Sequence, residues 1–322
     1  MTVQRILIVS GTHGNEINPV WAVKQFNRKE NSLINGIEYA YIIGNPAAYE
    51  KGCRYIDVDL NRSFKESENL DQHKNSFYET NRANFLVDEF GIDGSKPCQI
   101  AIDLHTTTAN MGTSIVLYGR RLKDFCLAAL LQNKFGLPIY LHEKDKDQTG
   151  FLVEAWPCGL VIEIGSVAQN FYDPNIVNRF SLIISSLREE IDKLKNNLIE
   201  LPKELVVHVH QGSIDYPRDE KGDIDGLIHP ERINQDWKMI KKGDPLFLDS
   251  QGIIHKYERD QLIWPVFIGE VAYKEKKIAM SYTKKEVITS NFMMNFRGIK
   301  FNHNSKKIFN YGFRSKITFY KV

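Results

Sequence analysis

His13 and Glu16 stand three residues apart in the run Gly11 to Glu16 (GTHGNE). At a turn from a strand into a helix, that spacing can aim an imidazole and a carboxylate at one point. Gly11 and Gly14 give the backbone the freedom such a turn requires. A second imidazole, His105, closes Asp103-Leu104-His105. Two histidines and one glutamate form a ligand set for hydrolytic zinc, with the fourth position left open. Asp103 is a candidate to orient His105 through its second ring nitrogen. Glu163 lies near the end of a further apolar run, Gly159 to Ile164 (GLVIEI). A carboxylate there is costly unless it sits at a rim or performs chemistry. Each pattern is common by accident when taken singly. Their weight lies in each being tied to an apolar run.

The four cysteines, Cys53, Cys98, Cys126 and Cys158, are scattered and form no C-x-x-C pair. That pattern fits reduced thiols in the cytoplasm, not a disulfide framework or a thiolate metal site. A metal in this chain would therefore rest on histidine and carboxylate, which points to a catalytic site.

The elements that must carry these residues alternate. Apolar runs at Arg5 to Ser10, Glu38 to Ile43, Gln99 to Leu104, Ser114 to Tyr118 and Gly159 to Ile164 read as buried strands. Helical spacing covers Phe77 to Phe90, Leu122 to Lys134 and about Asn175 to Asn197. Such alternation implies an α/β domain over residues 1–200, its mostly parallel or mixed sheet flanked by helices. After Pro202, short β-rich runs follow: Glu204 to His210, Leu246 to Leu248, Leu262 to Ile268 and Lys276 to Tyr282. They predict a smaller antiparallel β domain over residues 201–290. Residues 291–322 form a basic tail of uncertain structure. The 322 residues are 42% hydrophobic and 25% charged, with net charge +2. This is globular composition. It gives no reason to expect nucleic acid or an anionic membrane as partner. No stretch approaches the roughly 20 apolar residues of a membrane helix. The N-terminal apolar run reads as a first core strand, not a signal peptide.

Further blocks extend the pattern: CRYIDVDLNR (Cys53 to Arg62), DLHTTTANMG (Asp103 to Gly112), VIEIG (Val161 to Gly165), DYPRDEKGDI (Asp215 to Ile224), IHPERINQDW (Ile228 to Trp237), GDPLF (Gly243 to Phe247) and WPVFIGEVAY (Trp264 to Tyr273). With GTHGNE, these resemble, in order, the aspartoacylase family, the aspartoacylase/succinylglutamate desuccinylase branch of the zinc carboxypeptidase-like fold. The resemblance spans roughly residues 3–285. It implies one Zn2+ per subunit at His13, Glu16 and His105, with Glu163 as general base. It implies Arg54 as the cation beside the developing oxyanion, Arg62 as a carboxylate clamp assisted by Asn61, and Tyr273 reaching the substrate from the β domain. Glu270 is expected to help place that loop. The implied reaction is hydrolysis of N-acetyl-L-aspartate to acetate and L-aspartate. A homo-oligomer is compatible with the resemblance.

Two departures bear on the substrate. Thr106 stands where aspartoacylases carry Asn after the histidine of DLH. No Arg occurs between Arg121 and Arg179, where those enzymes place an Arg and a Tyr for the side-chain carboxylate. Lys144 or Lys146 is a candidate replacement, and Phe151 and Trp156 are candidates to line a more apolar pocket. The alternatives are a deacylase for N-acyl aromatic or neutral amino acids, or for another acyl group. A non-catalytic zinc-binding protein on the same fold is the reading from a different class. His208 and His210 are expected to be structural or surface residues. His73, His142, His255 and His303 are expected to stand alone in polar surroundings.

Overall fold

The computed structural model describes residues 4–28, 33–64, 77–143, 148–196, 198–200, 202–289 and 319–321. In chain order the strands and helices are β1 (Arg5–Ser10), α1 (Ile17–Arg28), β2 (Leu33–Ile34), β3 (Ile37–Ile43), α2 (Pro46–Lys51), α3 (Tyr78–Phe90), β4 (Ile100–Thr107), β5 (Thr113–Tyr118), α4 (Leu122–Phe135), β6 (Ile139–His142), β7 (Gly159–Gly165) and α5 (Pro174–Lys195). There follow β8 (Glu204–Ile214), β9 (Gly226–Ile228), β10 (Pro245–Asp249), β11 (Ile254–Lys256), β12 (Trp264–Val266), β13 (Met280–Thr289) and β14 (Phe319–Lys321).

One sheet runs in the order β12-β13-β8-β6-β5-β7-β4-β1-β3-β2, with β14 added beside β13. Its centre is parallel: β3, β1, β4 and β7 run together. The sheet is mixed because β5 lies antiparallel to β7. β8 joins parallel to β6, so a strand from the second half of the chain continues the central sheet. Only β9, β10 and β11 make a separate antiparallel sheet among the described residues.

The central strands read as unbroken apolar runs because both faces are covered. Ile6 and Ile8 of β1 enter one core with residues of α1, α4 and α5, whereas Leu7 and Val9 enter the other, with Trp156 and Phe267. Helix α5 buries Ile176, Val177, Phe180, Ile183, Ile184, Leu187 and Ile191, the one-sided stripe expected of a helix on a sheet. Asp173 caps it, accepting from the backbone N–H of Asn175.

The same alternation sets up the site. In β4, Ile102 and Leu104 face one core. Asp103 and His105 therefore share the opposite face with Ala101. In β7, Val161 and Glu163 share that face. β4 and β7 are in register with His105 beside Glu163.

Several sequence expectations shift. β6 carries no long apolar run and had no expected strand. The run expected at Lys276 to Tyr282 divides. Val271–Lys276 forms a 3-10 turn, and β13 starts only at Met280 and continues to Thr289. Of the basic tail, residues 319–321 alone are described.

Candidate active site

The turn after β1 brings the first ligands inward. Gly11 has φ +64°, and a Cβ on Gly14 would lie 2.1 Å from the Ala48 carbonyl carbon, so α2 packs directly on this turn. The Gly14 N–H donates to the Arg54 carbonyl at 3.1 Å, tying the turn to the following loop. His13, Glu16 and His105 are buried, and their ligating atoms lie within 4.8 Å of one another.

Both histidines turn Nδ1 toward Glu16. His13 Nδ1 lies 2.7 Å from Oε1 and His105 Nδ1 lies 3.0 Å from Oε2. The Thr106 N–H also donates to Glu16 Oε2, at 2.9 Å. The outward nitrogens meet carboxylates. His105 Nε2 is 2.7 Å from Asp103 Oδ2, and His13 Nε2 is 3.1 Å from Asp59 Oδ1. Thr12 Oγ1 donates to the other oxygen of Asp103 at 2.6 Å. This is the carboxylate–histidine arrangement that fixes a metal-ligating imidazole. Arg54 Nη2 also approaches His13 Nε2, at 2.8 Å. One tautomer cannot serve both neighbours. With Nδ1 given to a cation, Nε2–H donates to Asp59, which also pairs with Arg54 at 3.4 Å.

The charges follow from this packing. Burial opposes ionisation of Glu16, yet His13 and His105 hold its carboxyl well below the usual range. Burial opposes the His105 cation, but Asp103 and Glu16 raise its pKa. Asp59 is partly buried, which opposes its ionisation, but His13, Arg54 and Arg62 hold it low. Glu163 differs: burial, with Glu16 and Glu270 nearby, raises its carboxyl well above the ordinary value, opposed by His105 and Arg54.

One pocket brings together all eight expected residues: His13, Glu16, Arg54, Asn61, Arg62, His105, Glu163 and Tyr273. Asn61 binds the turn at Leu152 by accepting from its N–H at 2.8 Å. Arg62 lies over the Phe151 ring at 4.0 Å, with Nη1 donating to the Asn61 carbonyl at 2.6 Å and Nη2 to Gln148 Oε1 at 3.2 Å. Glu270 joins the two halves of the chain. Its Oε2 accepts from Thr107 Oγ1 and from the Thr108 N–H at 2.9 Å, and its Oε1 accepts from the Ala272 N–H at 3.0 Å. Tyr273 follows on the same turn.

Phe151 lines the pocket as expected, but Trp156 does not. Its ring is fully buried behind the wall, donating Nε1–H to the Phe90 carbonyl at 2.9 Å. Lys144 and Lys146 lie outside the described residues, as do His73 and His303. His142 is not in polar surroundings. It is buried among Tyr118, Tyr140, Phe151 and His210, because β6 is an interior strand. His208 is structural, packed on Trp237 and Trp264 and lowered to about 4 by burial. Sequence reasoning did not single out Asp59 or Tyr118. Asp59 carries a signal in hindsight, two positions before Asn61 within the Cys53 to Arg62 block.

Comparison with known proteins supplies the family. A family model described as the succinylglutamate desuccinylase/aspartoacylase catalytic domain matches residues 2–191, and the AstE/AspA barrel-sandwich hybrid domain matches residues 203–285. A "Probable aspartoacylase" of Prochlorococcus marinus (strain MIT 9301) is 94% identical over 290 residues, 90% of this chain and 96% of its own. Another, from strain NATL1A, is 50% identical over 285 residues, covering 88% and 93%. Among solved structures, murine aminoacylase 3 matches with TM-score 0.82 at 28% identity, covering 90% of this chain and 97% of its own. A succinylglutamate desuccinylase from Chromobacterium violaceum shares the fold, with TM-score 0.61 at 17% identity, covering 88% and 85%.

Proposed function

The chain belongs to the succinylglutamate desuccinylase/aspartoacylase family, and from that premise we propose that it is a zinc-dependent amidohydrolase cleaving N-acetyl-L-aspartate to acetate and L-aspartate. The observation that carries the reading is the convergence of Glu163 and Arg54 on the His13, Glu16 and His105 cluster within one pocket. Metal binding alone requires neither, which argues against a non-catalytic zinc protein. The substrate follows the relatives named probable aspartoacylase.

Zinc suits the donor set: two imidazole Nδ1 atoms, one carboxylate held anionic, and outward nitrogens fixed by Asp59 and Asp103. When bound, zinc acidifies water toward a pKa of about 7 and polarises a carbonyl oxygen. Glu163 accepts the proton of the attacking water and passes it to the departing amine nitrogen. Its burial strengthens its hold on that proton during the transfer. Arg54 stands by Glu16 and Asp59 as the cation facing the oxygen that becomes negative. Arg62, fixed on Phe151, clamps a carboxylate with assistance from Asn61. Tyr273 closes the pocket from the second half of the chain.

A second reading, N-acyl aromatic or neutral amino acids, is favoured by Tyr118, Phe151 and Phe267 in the pocket wall. We also infer a boundary near residue 200 between a catalytic unit and a β unit. No helix of the described residues is long and apolar enough to cross a membrane, and all four thiols are free. Free thiols fit the cytoplasm. The test is amine release from a panel of N-acetyl amino acids, with zinc and after chelation. Zinc-dependent release led by the aspartate derivative is expected. Release led by aromatic substrates replaces the substrate and keeps the chemistry. No release from any member overturns the proposal.

A further inference from the structure

Tyr118 ends β5 and lines the pocket, yet no catalytic argument above uses it. Its ring stacks on Phe151, with centroids 3.6 Å apart and planes at 18°. The edge of His142 packs beside it at 5.8 Å. Arg62 lies over the same Phe151 ring, with Cζ 4.0 Å from the centroid. Two groups that close cannot share one ring face, so Arg62 and Tyr118 sandwich Phe151. The phenol is therefore held as rigidly as the guanidinium, but displaced from it across a ring. Among the described residues its hydroxyl makes no hydrogen bond. Burial raises its pKa well above the ordinary phenol value, against the pull of Arg62, so the group stays a neutral donor.

We propose that Tyr118 is a substrate-binding residue whose hydroxyl donates to the side-chain carboxylate of the N-acyl amino acid while Arg62 holds the α-carboxylate. The inference rests on the deacylase reading above and names the group that recognises the amino-acid side chain. A phenol donor to a carboxylate is a charge-assisted hydrogen bond. It supplies side-chain selectivity from a neutral group in a chain that has no arginine between Arg121 and Arg179. The aromatic faces around it take up the methylene carbons.

Tyr118→Phe keeps the stacked ring and removes only the hydroxyl. The readout is the ratio of kcat/KM for N-acetyl-L-aspartate to that for N-acetyl-L-alanine, which shares the acyl group and the α-carboxylate. The ratio should fall roughly ten-fold or more in the variant, as expected for loss of a hydrogen bond to a charged group, and the change should appear in KM. A ratio equal to the parent's overturns the proposal, whether both substrates lose activity together or neither does. A parent that releases amine from no N-acyl amino acid would instead sink the deacylase reading itself.

Discussion

Glu270 lies outside the metal cluster, yet its removal should disable the site. It is 7% exposed and takes hydrogen bonds from both halves of the chain. Thr107 Oγ1, the Thr108 N–H and Thr108 Oγ1 donate from the end of β4, and the Ala272 N–H donates from the turn bearing Tyr273. The Val271 N–H donates in turn to Thr108 Oγ1 at 3.0 Å. Glu270→Ala leaves the Thr108 and Ala272 N–H groups without their acceptor. The Ala109 N–H keeps Thr107 Oγ1 at 3.0 Å. Two orphaned donors cost roughly 1–3 kcal/mol each. Entering water relieves part of this, which leaves about 2–4 kcal/mol. The loss falls on closure of the 270–276 turn more than on the whole fold, because Val271 is exposed. If closure rests on this carboxylate, kcat/KM falls about 30-fold or more. Zinc content, measured by metal analysis, should stay at the parent level. Glu270→Gln, which keeps one acceptor oxygen, should fall between. Glu270→Ala with parental kcat/KM and an unchanged denaturation midpoint would refute the latch.

Other consequences follow from the same contacts. Glu163→Gln should bind zinc and fold normally but lose about 10²- to 10⁴-fold in kcat; parental turnover would remove it as the base. Arg62→Lys cannot reproduce a planar fork or its stacking on Phe151, so KM should rise strongly with little change in kcat; an unchanged KM would take Arg62 out of the substrate's reach. Asp103→Asn should weaken zinc affinity by roughly 10- to 100-fold, read by competition with a chelator, because His105 loses its charged partner. Burial pushes the Asp236 carboxyl up to about 6, opposed by the Ile268 N–H. Its folded value lies above the unfolded one of about 3.9, so its stabilising contribution is full below about pH 4 and is lost as pH rises through 6. Denaturation midpoints of the parent should therefore decline over that window relative to Asp236→Asn, and parallel curves would count against the assignment.

What the sequence made legible and what it hid divide along a physical line. β1 falls on the six residues expected, Arg5–Ser10, since a strand covered on both faces must be apolar throughout. The metal cluster was legible because two of its ligands share one turn and the third lies near the end of the strand beside β1. Period-2 alternation then places Asp103 and His105 on one face of β4, and the β4–β7 register brings Glu163 beside them. The short strand β6 was hidden, and His142 with it, because four residues after Pro138 carry too little pattern to distinguish an interior strand from a loop. The turn Val271–Lys276 was obscured for a different reason. Its backbone donors are satisfied by Glu270 and by Thr108, 163 residues away from Val271, and no local propensity records such a partner. Tyr118 is the sharpest case. An aromatic residue at the end of an apolar strand is indistinguishable from a core residue until Phe151, brought in from the turn before β7, shows which side of its ring is packed. Residues that bind through their own short motif can thus be read from sequence, whereas those that act through a partner assembled by the sheet cannot. In this chain Asp59 and Tyr118 are of the second kind and flank the first, and Glu270 was expected only through the family resemblance.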